Sequence, residues 1–335
     1  MSLPLKPFVS IIIPNHNNAS TIGLCLDAAC GSDYPEFEVI VVDDCSSDNS
    51  TEIINRYPCR LLQLPEHGGA SKARNTGAEN SRGELLFFID SDCLVRTDTL
   101  AKAVSAFWQN GPDVVLGGTY TLMPYDSWNF FSIFQSVYIH YSETKNLKKP
   151  DYIATHAMLI SAEIFHSSGG FAEDFMPILE DVEFSHRLKK SGYRLRMDDN
   201  ILVQHIFHFN LAKSFRNGIR KSKYWSVYTI KNKDLLSDSG TASQEFKFNV
   251  LSCFMNLALL FIGLLFSRWL LAAPIVLLYG SNLYLNRKLF QAFRKTKGLY
   301  FAIMAVLYYT ILYPLAVGIG AFSGIFSHYF GLIKT

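Results

Sequence analysis

Four short apolar runs, FVSIII (8 to 13), FEVIVV (37 to 42), CRLLQL (59 to 64) and ELLFFI (84 to 89), follow one another along the chain. Between them lie segments of about twenty residues, each long enough for a helix. Runs this continuously apolar must be buried on both faces, and strands joined through helices pair in parallel with the helices covering the sheet. A fifth run, DVVLGG (113 to 118), extends the series. The expected fold class is therefore α/β, a mostly parallel sheet with helices on both faces. Ligands bind such sheets beyond the carboxyl ends of the strands, so the residues just after each run carry the first information about function.

After the first run comes PNHNNAST, with Pro14, Asn15, His16 and Asn17; after the second, DDCSSDNS opens on Asp43 and Asp44. The third leads into PEHGGASKARNTGA, a glycine pair ahead of Lys72, Arg74 and Asn75. The fourth stops on Asp90, with a second carboxylate at Asp92. Singly, each has a plainer use, since acids cap helices and end strands and paired glycines make turns. At successive strand ends they describe a site for a nucleotide whose diphosphate is held with a divalent metal. Hard oxygen ligands such as Asp92 suit Mg²⁺ or Mn²⁺, and thiolates do not. Two other nucleotide sites are excluded: the first loop has no glycine for a G-x-G-x-x-G turn, and no G-x-x-x-x-G-K-[ST] string occurs.

A chain of 335 residues holds one large domain or two ordinary ones, and its composition changes along its length. Charged loops alternate with apolar runs to about residue 235, and beyond about 248 the chain is strongly apolar. The expected division is a catalytic domain over 1–235 and a membrane domain over 245–333 with about three spans. Segments 248 to 266 and 269 to 285 reach the roughly 17 to 25 residues that cross a bilayer. A third tract, 299 to 330, exceeds one span, and Pro314 near its middle leaves a kinked crossing and a re-entrant pair both open. From Lys213 to Lys233 seven basic residues and no acidic one, interleaved with aromatics, read as a membrane-surface element. Five basic residues in NRKLFQAFRKTKG (286 to 298), against Arg268 alone between the first two spans, place 286–298 in the cytosol. The opening MSLPLKPFVSIIIPN has too short an apolar run for a signal peptide, so the catalytic domain is expected on the same side. Six cysteines without a C-x-x-C pair are expected as reduced thiols.

The strings VSIIIPNHNN, FEVIVVDDCSSDNS, GGASKARNTGA, GELLFFIDSD, FMPILEDVEFSHRLKKSGYRLR and VQHIFH occur in this order over roughly residues 8 to 230. Together they resemble the family 2 glycosyltransferases, inverting enzymes of the GT-A fold that move a sugar from a nucleotide-sugar donor to an acceptor. The resemblance implies a nucleoside held by Pro14, His16 and Asp44, with Asn15, Asn17 and Asp43 beside them; His16 stands where a tyrosine is more usual. It implies that Arg74 and Asn75 close over the nucleotide, that Asp90 and Asp92 form the D-x-D with Asp92 on a Mn²⁺ or Mg²⁺ ion, and that His205, ahead of His208, reaches back to that ion or the diphosphate. It makes Asp181 of Leu179-Glu180-Asp181 the base, with Glu180 its neighbour. The chemistry agrees: inversion needs an acceptor hydroxyl whose proton a base removes, and a helix amino-terminus keeps such a carboxylate ionised. Val182, Phe184, Leu188 and Tyr193 suit a packed helix beginning there.

The expected function is transfer of a sugar from a UDP- or GDP-type donor to a lipid-linked or membrane-proximal glycan acceptor, at the inner cell membrane, with membrane lipid as a partner and no nucleic acid. The absence of Q-x-x-R-W points to one sugar per acceptor. Polyprenyl phosphate as acceptor and a non-catalytic nucleotide-sugar scaffold are the alternatives. Nucleotidyl transfer lacks its glycine-rich signature, and the oligomeric state stays open.

Overall fold

The computed structural model describes residues 6–126, 128–235, 237–266 and 269–331. It divides into two compact units, residues 1–127 with 143–207, and residues 128–142 with 208–335. The chain runs β1 (Val9–Asn15), α1 (Ile22–Cys30), β2 (Phe37–Asp43), α2 (Ser50–Ile54), β3 (Arg60–Gln63), α3 (Gly69–Glu79), β4 (Leu85–Phe88), β5 (Cys93–Val95), α4 (Thr99–Asn110) and β6 (Val114–Tyr120). After α5 (Phe130–Thr144), most of which belongs to the second unit, come β7 (Met158–Ser161), α6 (Ala162–Ser167), α7 (Glu180–Lys190) and β8 (Arg194–His205).

The eight strands of the first unit form one sheet in the order β3-β2-β1-β4-β7-β6-β8-β5. Its first half is parallel, as the strand–helix alternation requires. The second half is mixed: β7 runs antiparallel to β4 and β6, and β5 antiparallel to β8, while β6 and β8 are parallel. Register explains why the site forms where it does. Asn15 lies opposite Asp43 across β1 and β2, and Ile12 opposite Phe88 across β1 and β4. The carboxyl ends of β1, β2 and β4 therefore open side by side, where the chain passes from β3 back across β1 to β4. Helix α3 lies close on this part of the sheet because Gly77 has no side chain; a Cβ there would sit 2.5 Å from Cγ2 of Ile12. Ile12, Leu86, Phe88, Phe165, Phe171 and Phe184 share one buried cluster behind the strand ends.

Helix α7 starts at Glu180 and buries Val182, Phe184 and Leu188. It stops at Lys190, and Gly192 takes a left-handed turn (φ +91°). Tyr193, expected on the helix, falls beyond it and packs half-buried on the same core.

The second unit contains α8 (Leu211–Asn232), α9 (Gln244–Leu265), α10 (Ala272–Leu285), α11 (Arg287–Leu307), a π-helical turn (Tyr308–Leu312) and α12 (Tyr313–Tyr329). Gln244–Leu265 and Arg287–Tyr329 each hold an 18-residue stretch apolar enough to cross a membrane, with mean hydropathies of 2.1 and 1.9; the apolar helix Trp269–Leu285 is shorter. Arg268 and residues 332–333 lie outside the described residues. The helix breaks at Gly298 (φ 83°, ψ −177°), just ahead of the last tract, where no side chain opposes a positive φ, and Pro314 sits in the first turn of α12, where its missing N–H does no harm. Residues 299–329 are helical throughout, α11 passing through the π-helical turn into α12. Residues 287–297 are helical too: Leu289 and Phe293, four apart, are buried, and all five basic residues are exposed around them.

The basic stretch is one side of α8, and the other side packs on α12. Gly320 and Gly324 make that contact possible, since a Cβ at either would strike the backbone of Ile219 or Lys223. Three buried asparagines link α9, α10 and the π-helical turn. Asn282 Nδ2 donates to Asn249 Oδ1 (2.6 Å), Asn249 Nδ2 donates to the Tyr309 carbonyl (2.8 Å), and Asn286 Nδ2 donates to Asn282 Oδ1 (2.8 Å).

Candidate active site

The candidate site lies in the first unit, whereas His208 belongs to the second. At the ends of β1 and β2, Asn15 Nδ2 donates to Asp43 Oδ1 (2.8 Å), and Ser46 Oγ donates to the same oxygen (2.6 Å). Asp43 is thereby committed to shaping the loop. Asn17, with φ at 53°, accepts the Ser47 N–H on its side-chain oxygen (2.7 Å) and ties the first loop to the second. Pro14 lies opposite Val42 inside this paired edge.

Asp44 is buried and collects donors from the glycine pair: the N–H groups of Gly68 and Gly69 reach its two oxygens at 2.7 and 2.8 Å. His67 Nδ1 lies 3.0 Å from Asp44 Oδ2, and His16 Nδ1 2.6 Å from the Asp44 carbonyl. The two imidazoles lean on each other, ring centres 4.5 Å apart, and both are exposed. A fixed carboxylate beside an exposed aromatic surface is what a nucleobase needs: a hydrogen-bond acceptor at its edge and a face to stack on.

The second cluster is built around Arg74, buried on α3. Nη2 donates to Asp90 Oδ1 and Nη1 to Glu180 Oε1, both at 2.7 Å. The guanidinium fork thus joins the end of β4 to the start of α7. Burial pushes the Asp90 carboxyl up, but Arg74, with His156 and His205 behind it, outweighs burial and holds it below the usual carboxylate range. Leu179, just before Glu180, takes a left-handed conformation (φ 77°), a strain that non-glycine residues carry most often at functional sites.

Asp92 is the third part. Cys93 and His205 are partners in the antiparallel pair of β5 and β8, and the Ile206 N–H donates to the Asp92 carbonyl (2.9 Å). His205 Nε2 consequently stands 3.5 Å from Asp92 Oδ1, with Cys93 Sγ 3.9 Å from the same oxygen. Asp181, in the first turn of α7, accepts the Val182 N–H on Oδ1 (2.9 Å).

Sequence reasoning missed His156 and Glu143. His156 is buried, stacks on Tyr120 (centroids 4.1 Å) and lies 3.4 Å from Glu143 Oε2, which also accepts the Thr119 hydroxyl (2.7 Å). Burial disfavours its charged form, but Glu143 and then Asp90 and Asp181 outweigh burial and raise its pKa. Nothing in THAM marks this histidine, because its partners come from distant strands and helices. Two expected residues point elsewhere. Asn75 bonds both backbone groups of Phe171 (2.8 and 2.9 Å) and Glu173, and Lys72 pairs with Glu173 (3.0 Å), so both fasten the 171–173 segment to α3.

The pattern described as Glycosyl transferase family 2 matches residues 10–166. Glycosyltransferase AglE of Haloferax volcanii is 30% identical over 242 residues, 67% of this chain and 76% of that protein. The poly(ribitol-phosphate) beta-N-acetylglucosaminyltransferase TarS of Staphylococcus aureus is 36% identical over 114 residues, 32% of this chain but only 20% of TarS. Among solved structures, mannosyltransferase PcManGT from Pyrobaculum calidifontis, in complex with GDP-Man and Mn²⁺, superposes with a TM-score of 0.59 at 19% identity, covering 97% of this chain and 88% of its own. The sheet, the ordered strand-end residues and these relatives lead to one conclusion: the chain belongs to glycosyl transferase family 2 and is a glycosyltransferase with a GT-A-like fold.

Proposed function

We propose that this glycosyltransferase inverts the sugar carbon, depends on a divalent metal, and moves a sugar from a UDP- or GDP-type donor to a lipid-linked or membrane-proximal acceptor in glycan or polysaccharide assembly. The observation that carries this reading is the meeting of Asp92 and His205 at 3.5 Å beside the Asp90–Arg74–Glu180 bridge. A carboxylate oxygen beside an imidazole nitrogen at that spacing suits Mn²⁺, and the carboxylate alone suits Mg²⁺; bonds of about 2.0–2.2 Å set neighbouring ligands roughly 3 Å apart. When bound, such an ion neutralises charge developing on the departing diphosphate. PcManGT, with its GDP-Man and Mn²⁺, is in keeping with this assignment.

The chain's own groups divide the work. Asp44 presents a fixed carboxylate edge to the nucleobase, and His16 and His67 offer it a ring face. Arg74 holds Asp90 and Glu180 in position. With Glu180 committed to Arg74, Asp181 is the base that takes the acceptor's proton, at a helix end that favours its ionised form.

The membrane part of the proposal rests on composition. Leu260, Phe261, Leu264 and Leu265 of α9 are exposed, as a lipid-facing helix requires. The basic sides of α8 and of 287–297 favour the cytosolic face, which supports a catalytic domain over 1–235 in the cytosol and a membrane domain over 245–333. A panel of UDP- and GDP-sugars, screened for thermal stabilisation with and without Mn²⁺, identifies the donor. Asp92→Asn should abolish the Mn²⁺-dependent part. Asp181→Asn should leave donor affinity intact while turnover falls by about 10²- to 10⁴-fold. Metal-dependent donor binding that survives Asp92→Asn, or near-normal transfer by Asp181→Asn, rejects the corresponding assignment.

A further inference from the structure

The donor-metal assignment accounts for Asp92 and His205 and leaves Cys93 unused. Cys93 and His205 are directly opposed across an antiparallel pair, so their side chains project from the same face of the sheet. Asp92 Oδ1, Cys93 Sγ and a ring nitrogen of His205 all lie within 4.8 Å of one another. The spacings from Asp92 Oδ1 are 3.5 Å to His205 Nε2 and 3.9 Å to Cys93 Sγ. Tetrahedral Zn²⁺, with bonds of about 2.0–2.3 Å to oxygen, nitrogen and sulfur, holds its ligands roughly 3.3–3.7 Å apart. The two spacings from Asp92 are close to these values, and closing on such an ion draws Cys93 and His205, which lie within 4.8 Å of each other, together.

We propose that Cys93 is a soft third donor in this site, so that Asp92 Oδ1, His205 Nε2 and Cys93 Sγ take up a thiophilic divalent ion such as Zn²⁺ in competition with the ion that serves the donor. This rests on the reading that Asp92 and His205 hold the donor's metal. Access is one-sided. Asp92 and His205 retain 34% and 13% of their side-chain exposure, whereas Cys93 is fully buried. The ion enters past Asp92, the thiol closes from the sheet side, and the thiol proton leaves to solvent. Mn²⁺ and Mg²⁺, which prefer oxygen, use the Asp92 carboxylate, with His205 added for Mn²⁺, and keep most of their coordination positions for water and phosphate. A tetrahedral ion held by all three protein groups has one position left, so it binds more tightly and serves the diphosphate less well. Zn²⁺ should therefore displace the working ion and inhibit.

Cobalt(II) added to the full chain in detergent, without nucleotide, tests this directly. The expected spectrum contains a near-ultraviolet cobalt–thiolate charge-transfer band that is lost in Cys93→Ser. In the same variant Zn²⁺ affinity, measured by competition, should fall at least about tenfold while Mn²⁺ affinity changes by less than about twofold. Bound cobalt without a thiolate band, no cobalt binding, or an unchanged Zn²⁺ affinity in Cys93→Ser overturns the proposal. If the variant fails to fold, a wild type without the band still overturns the proposal, and a band that survives replacement of the exposed Cys45 and the half-buried Cys30 and Cys59 by serine supports it. Asp92→Asn separates the two readings. Loss of Mn²⁺ binding there, with no thiolate band in the wild type, leaves the donor-metal assignment standing and removes only Cys93. A Cys93-dependent band with Mn²⁺ binding untouched by Asp92→Asn does the reverse.

Discussion

Replacing Arg74 by glutamine removes a buried cation from between two acids and leaves Asp90 and Glu180 facing each other. Both of its ion pairs are 2.7 Å long, and the arginine side chain is only 4% exposed. Breaking one partner out of a buried pair costs about 3–5 kcal/mol. Asp90 retains 32% exposure and Glu180 15%, so water recovers part of that, and the low end, about 3 kcal/mol, is the expected loss. For a unit of this size each kcal/mol moves the unfolding midpoint by about 2–4 °C, which gives roughly 6–12 °C. Arg74→Lys keeps the charge but cannot serve two carboxylates with a planar fork, and should lose about half as much. The pH dependence has a definite sign. Asp90 has a depressed carboxyl pKa in the folded protein, so its contribution is complete above the unfolded value of about 4 and is lost as pH falls through the folded value. Without Arg74 the variant's Asp90 protonates at a higher pH and relieves the repulsion. The gap between wild type and Arg74→Gln should therefore narrow from pH 8 to pH 5 in thermal unfolding followed by near-ultraviolet circular dichroism. A midpoint within about 2 °C of wild type at pH 8 would refute the bridge as a stabilising element.

His156→Phe keeps the ring that stacks on Tyr120 and removes the imidazole beside Glu143. Because the folded histidine has a raised pKa, its contribution is complete below the unfolded value of about 6.5 and fades as pH rises through the folded one, so the variant's deficit in unfolding midpoint should be larger at pH 6 than at pH 9. Asn282→Leu strands Asn249 Oδ1, leaves Asn286 Nδ2 only the Asn282 carbonyl, and should cost about 1–2 kcal/mol in detergent; an unchanged midpoint would show the asparagine links to be idle. A cysteine at Thr296, in a chain whose exposed Cys45 is replaced by serine, should resist impermeant thiol reagents in intact cells and react after lysis, and labelling before lysis would reject a cytosolic 286–298.

The parts of the fold legible in the sequence are those whose signal is local. β1, β2 and β4 are continuous apolar runs buried on both faces, and each is followed at once by the polar residues that line the site. β5 is three residues long, and β7, four residues, lies in no apolar run as long as the ELLFFI around β4, so neither leaves a signal in the sequence. β8 alternates properly at Leu195 and Met197, then breaks step at Asp198-Asp199-Asn200, where Asp198 Oδ1 accepts the Asn200 N–H (2.9 Å). The register against β6 accordingly jumps between Gly117 and Thr119, and alternation resumes only at Ile201 and Val203. The same limit applies to the site. Asp44, Asp90 and Asp92 were readable because they follow strands. The Arg74–Glu180 pair spans 106 residues of sequence, and Glu143 and His156 meet only through folding.

That long-range pairing is also what sorts the acids. Asp90, Asp92, Glu180 and Asp181 come from two short segments, and sequence alone treats each pair as near-equivalent. Arg74 removes the equivalence by taking one acid from each, Asp90 from the strand end and Glu180 from the helix start. The acids then assigned to chemistry are the second of each pair, Asp92 facing His205 and Asp181 in the first turn of α7. One buried cation thus ties the proposed donor side to the proposed acceptor side through Asp90 and Glu180. A weakened bridge should therefore lower turnover before it lowers donor affinity. Arg74→Lys, which keeps the charge and loosens only the fork, is the variant in which kcat falls while the donor's KM stays near its original value.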